Sequence, residues 1–147
     1  MIAQIYRYTK VVVPGPDGYT LYAKLPEGGM ELCVLDGVTY VTVPEDADPL
    51  PEQHQQITLE PVIVDAGLRE RLLTESRAGQ LISQAIIDKI RAKYPIDEEL
   101  YFARIGIGSL TDLYTPSEAE VQELAAYGQY VESVREWGRQ QRAALGL

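Results

Sequence analysis

A chain of 147 residues suits one ordinary domain or two small ones, and 46% apolar content is enough to build a buried core. Thirteen basic against twenty-two acidic residues give a net charge of −9, which works against non-specific attraction to nucleic acid or anionic lipid. A single cysteine and a single histidine exclude an internal disulfide and a His/Cys structural zinc site.

The start, Met1-Ile2-Ala3-Gln4, has no basic segment leading into a long apolar run, and no stretch approaches the roughly 18 apolar residues of a membrane-spanning helix. The expectation is an intracellular chain with no membrane span. Its charge divides unevenly, with −6 up to Val64 and −3 from Asp65 onward.

The first third reads as β structure. Residues 2–13 and 19–24 are β-branched and aromatic, separated by the breaker Pro14-Gly15-Pro16-Asp17-Gly18. After Pro26-Glu27-Gly28-Gly29, residues 31–35 and 38–43 flank Asp36-Gly37, the pair that supplies both left-handed positions of a type I′ hairpin turn. Loose alternation over 38–43 suggests one face half-buried against helices and one meeting solvent. Residues 44–56 hold three prolines and four acids without periodicity and read as a tether. Residues 57–64 return to strand character, with Pro61 confining them to an edge or an irregular extended path.

From Asp65 the apolar period becomes three and four, predicting helices over about 66–75 and 78–94, with a break near Gly79 and a stop at Pro95. Asp97 is placed to cap a helix ending near Ile105, where Gly106 and Gly108 would stop it. Thr115-Pro116-Ser117-Glu118 reads as N-cap, first-turn proline and capping-box glutamate of a final helix. Along that helix Leu124, Tyr127, Val131, Val134 and Gly138 alternate by three and four, laying a seam toward Trp137, with Gly128 beside it as a place for close helix approach. The fold class is therefore α+β: a small antiparallel β module over 1–64, with its acidic connector at 44–56, followed by a helical module of three to four helices over 65–147.

The chemistry-bearing patterns have plain structural readings. Gly106-Ile107-Gly108-Ser109 lacks the lysine of a phosphate loop and reads as a helix stop. Asp97-Glu98-Glu99 point about 100° apart and suit the dipole of a first helical turn better than a cation site. Cys33 lacks a neighbouring base and reads as a strand residue, and His54, among glutamines, as solvated. No catalytic set, cofactor or metal is expected. Tyrosine is abundant, ten against one phenylalanine, and Tyr6, Tyr8, Tyr19, Tyr22 and Tyr40 either form a contact face or are ordinary strand tyrosines. Arg135, Arg139 and Arg142 around Trp137 form a small basic patch that complements a helix C-terminus.

The stretch Ser117-Glu118-Ala119-Glu120-Val121-Gln122-Glu123-Leu124-Ala125-Ala126-Tyr127, continuing through Tyr130 to Arg135, resembles the final helix of small tailed-phage and prophage proteins, among them tail-fibre assembly proteins. The β-rich front and the Pro-rich acidic connection are similar to that group as well. The ending, Arg139-Gln140-Gln141-Arg142-Ala143-Ala144-Leu145-Gly146-Leu147, departs from it where a short Pro- and Trp-bearing segment is usual. The resemblance implies a non-enzymatic interaction or assembly protein, cytoplasmic or virion-associated, with a phage tail component as partner. The competing expectation is a small-ligand or enzymatic domain with its site between sheet and helices. Leu124, Tyr127, Val131, Val134 and Trp137 are the candidate interaction residues, for a homodimer or for a hairpin of helices inside the chain.

Overall fold

Asp36 and Gly37 adopt φ of 52° and 80°, the two left-handed positions of the expected hairpin turn. They join β4 (Met30–Leu35) to β5 (Val38–Pro44) in a computed structural model that describes residues 3–147. Met1 and Ile2, where the first strand was expected to begin, lie outside the described residues. The expected strand over 2–13 is two elements, β1 (Ala3–Tyr8) and β2 (Val11–Val13), and β2 pairs with β3 (Tyr19–Leu21) in a separate two-stranded ribbon. The main sheet is antiparallel in the order β4-β5-β1-β6, with a bulge in β4 between Glu31 and Cys33. Of the strand-like residues 57–64 only Glu60–Pro61 form a strand, β6, on the outer side of β1, where a proline's missing donor costs no ladder bond, and the Val62 N–H adds a bond to the Ile5 carbonyl at 2.9 Å.

Neither face of β5 is solvated, which corrects the half-buried reading of that strand. Val41 and Val43 on one face pack with Tyr8 and Ile57, and Leu21, Leu25, Ala47 and Leu50 cover them. Tyr40 on the other face packs with Ile5, Leu32, Leu35 and Leu72, and Leu68, Leu145 and Leu147 cover these. A strand buried on both sides has no polar face, so its alternation is weak.

The tether reading of residues 44–56 is half right. Beyond Pro44 the segment forms neither helix nor strand, but it is tied down. The Gln53 side-chain amide accepts from the Lys24 backbone N–H and donates to the Lys24 carbonyl, both at 2.7 Å, while Ala47 and Leu50 pack on the sheet. Composition alone cannot show that two apolar side chains and one amide suffice to anchor a proline-rich segment.

Helix α1 (Ala66–Glu75) is capped by Asp65, whose carboxylate accepts from the Leu68 N–H at 2.8 Å. The break before α2 (Arg77–Lys93) falls at buried Ser76, whose hydroxyl accepts from the Gly79 N–H at 3.0 Å. Gly79 is there because a Cβ would collide with the backbone of Leu73. Leu72, fully buried, anchors α1 in the sheet's core; truncation of such a residue costs about 2–5 kcal/mol.

Helix α3 (Ile96–Leu110) begins at Pro95 and carries Asp97, Glu98 and Glu99 in its first turn, so Asp97 lies inside the helix and is not its cap. It does not stop at Gly106 or Gly108 but runs through both, so Gly106-Ile107-Gly108-Ser109, expected as a helix stop, are helical. The ending is a Schellman motif with Asp112 at φ 57° in the left-handed position. The Leu113 N–H bonds the Gly108 carbonyl at 3.0 Å, and the Asp112 N–H bonds that of Ser109 at 3.4 Å. Helix α4 (Glu118–Ala144) starts two residues later than expected, because Ser117 and not Thr115 is the cap.

The chain forms two compact units, one reaching Leu81 and including Gln141–Leu147, the other Ile82–Gln140. Within the second unit Phe102 and Tyr127 stack at 4.8 Å, and Tyr94 meets Tyr127 edge-on at 5.1 Å. Buried Ile105, Val134 and Gly138 complete its interior.

Candidate interaction surface

Helix α3 is apolar on two faces. Phe102 and Ile105 point into the second unit's interior, yet Ile96, Leu100, Ala103, Ile107 and Leu110 recur at spacings of four, three, four and three on a line well away from them. That line is exposed, with Leu100 at 64%, Ile107 at 63% and Leu110 at 88%. Leu113, just past the helix, is 85% exposed. Isolated apolar residues on a surface need no explanation, whereas this row runs the length of one helix.

Beside the stripe the chain folds back to enclose a cleft of about 510 Å³, lined by Tyr101, Arg104, Ile105, Ile107, Leu113 and Tyr114 among others. The fold-back needs Gly108, since a Cβ there would come within 2.9 Å of the Tyr114 Cβ. Glu120 ties the wall together. Its carboxylate accepts from the Tyr114 hydroxyl at 2.6 Å, from the Ser117 N–H at 3.0 Å and from the Tyr101 hydroxyl at 3.2 Å. In return Ser117 Oγ accepts from the Glu120 N–H at 3.2 Å, completing a capping box. The Tyr114 hydrogen bond, followed by that of the Ser117 backbone, holds the Glu120 carboxyl down to about 2. The same carboxylate pushes the Tyr114 phenol up; burial, then the hydrogen bond to Glu120, pushes up that of Tyr101.

The residues of the expected seam lie on the inner side of α4. Val134 and Gly138 are buried, and Leu124, Tyr127, Val131 and Trp137 are half-buried. Partners from the same chain cover them: Phe102 stacks on Tyr127, Lys89 Nζ lies 4.6 Å over the Trp137 ring, and Ile86 reaches Gly138, where a Cβ would stand 2.5 Å from its Cδ1. Close helix approach is thus made at Gly138; Gly128 has open space around it. Burial, followed by the Glu99 charge, pushes the Tyr127 phenol up.

Other singled-out residues do not converge. Tyr8 and Tyr40 enter opposite faces of the sheet while Tyr19 and Tyr22 are exposed, so the strand tyrosines form no common face. Arg139 is engaged by Glu132 and Glu136, which removes much of the basic patch. Burial, then the Glu75 charge, pushes the Cys33 thiol up, the wrong direction for a nucleophile. The His54 ring accepts from the Gln56 N–H through Nδ1 at 3.2 Å. Among the described residues no group of three or more His, Cys, Asp or Glu is arranged to hold a metal, and no helix is long and apolar enough to cross a membrane.

The α3 stripe is hidden at the level of sequence because Gly106 and Gly108 predict a helix that ends near Ile105. That cut leaves only Ile96, Leu100 and Ala103, too short a run to register as a face. Comparison of the chain with protein-family models, curated proteins and solved structures finds no match in any of the three.

Proposed function

We propose that this is a non-enzymatic interaction or assembly protein whose docking element is α3. The observation that supports it is the exposed apolar stripe Ile96, Leu100, Ala103, Ile107 and Leu110, a row of the kind through which one helix packs along another. Glu120, held at about 2 with its oxygens occupied by Tyr114, Tyr101 and Ser117, is a structural anion and a poor proton donor. The resemblance of the 117–135 stretch to tail-associated phage proteins makes a tail component the first partner to try. Co-expression with the products of the flanking genes tests this: one of them co-purifies with the natural chain and is lost from the Leu100→Glu/Ile107→Glu double variant, whose circular dichroism and melting are unchanged. Equal capture by that folded variant overturns the reading.

The cleft of about 510 Å³ favours a second reading, a small, largely apolar ligand held under Tyr114. A ligand whose thermal shift survives Leu100→Glu but is lost in Tyr114→Ala would establish it, because Leu100 lies outside the cleft.

A further inference from the structure

The surroundings of the stripe have a strong sign. Residues 96–123 hold seven acidic residues, Asp97, Glu98, Glu99, Asp112, Glu118, Glu120 and Glu123, and one base, Arg104, a balance of −6 against −9 for all 147 residues. The remainder of the chain from Asp65 onward is net positive, so an average over that half conceals the concentration.

These charges surround α3. By helical position Asp97 flanks the stripe on one side and Glu99 on the other, and Asp112 lies just beyond its C-terminal end. Glu98 and Glu123 line a smaller cleft of about 360 Å³ with Tyr94, Tyr101 and Phe102. An apolar row about 22 Å long, set in a negative field, complements an apolar row flanked by positive charge.

From this we infer that the occupant of α3 is a basic amphipathic helix of a partner protein, with apolar residues at three-four spacing and Lys or Arg on both flanks; the inference rests on the docking reading above. A second copy of this chain fits poorly. Self-pairing brings two −6 segments face to face, and antiparallel overlap centred on Ala103 sets Arg104 of one copy against Arg104 of the other.

A fluorescent designed helix of about 15 residues, with leucines at three-four spacing and lysine flanks, tests the inference by anisotropy against a twin with glutamate flanks. At low salt the lysine probe binds at least about ten-fold tighter than its twin, and the gap narrows several-fold between about 50 and 300 mM salt as screening sets in. Asp97→Asn/Glu98→Gln/Glu99→Gln narrows it similarly, whereas the same loss of charge in the other unit, Glu45→Gln/Asp46→Asn/Glu52→Gln, leaves it unchanged. Equal affinity for both probes, still abolished by Ile107→Glu, overturns the basic partner and leaves the docking face standing. Binding of neither probe overturns both. A doubled mass in light scattering, abolished by Leu100→Glu, overturns the inference in favour of a second copy.

Discussion

The Tyr114 hydroxyl reaches both carboxylate oxygens of Glu120, at 2.6 and 2.8 Å, and so links the segment after α3 to the first turn of α4. The Glu120 carboxyl, ordinarily near 4.5, is held at about 2 in the folded chain. A value lower folded than unfolded means that its contribution to stability is fully present above about pH 4.5 and is lost as pH falls toward 2. Urea midpoints measured across that window should fall for the natural chain and fall less for Glu120→Gln. Tyr114→Phe, which removes the largest cause of the shift, should also flatten the slope. Identical slopes in all three would show that the cluster adds nothing to acid stability.

The cap of α4 separates two neighbouring hydroxyl residues. Ser117→Ala removes the acceptor for the Glu120 N–H and should lower stability by about 0.5–2 kcal/mol. Thr115→Ala, outside the capping box, should stay within about 0.5 kcal/mol. Equal losses in thermal unfolding would place the cap elsewhere.

Asp112 holds a left-handed conformation at φ 57° that glycine adopts without steric cost. Asp112→Gly should therefore be neutral to stabilising, by up to about 1 kcal/mol, and should leave α3 its full length. A drop in helicity or midpoint would mean that the aspartate side chain itself supports the turn.

Gln53 is the clamp on the acidic segment. Gln53→Ala deletes both bonds to the Lys24 backbone, for a loss of about 1 kcal/mol, and should speed limited proteolysis within residues 45–56 severalfold. If the natural chain is cut there just as fast, the clamp does not hold in solution.

Local chemistry made much of this fold legible. The Asp36-Gly37 turn, the helix over 66–75 and the edge position of Pro61 follow from φ preferences, apolar period and a missing donor. Features decided by tertiary contact were not legible. The span of α3 through two glycines depends on Phe102 and Ile105 packing against other helices, which outweighs glycine's cost of about 1 kcal/mol per residue. The stripe needs that full span to exist, so it could not be read before the helix was. The α4 seam was legible as a line, but its cover, from Ile86, Lys89 and Phe102, was not.

The Thr42 hydroxyl donates to the Leu145 carbonyl at 2.8 Å, and Leu145 and Leu147 lie over the sheet's core. Residues 82–140 are thus an insertion between two parts of one unit. On the ribosome the strands emerge early but wait, with one face unfinished, until the whole inserted unit has been made. A fragment ending at Gln140 should keep its hairpin while exposing Ile5, Leu32 and Tyr40 to hydrophobic dyes, and a peptide of residues 141–147 added in trans should quench that exposure.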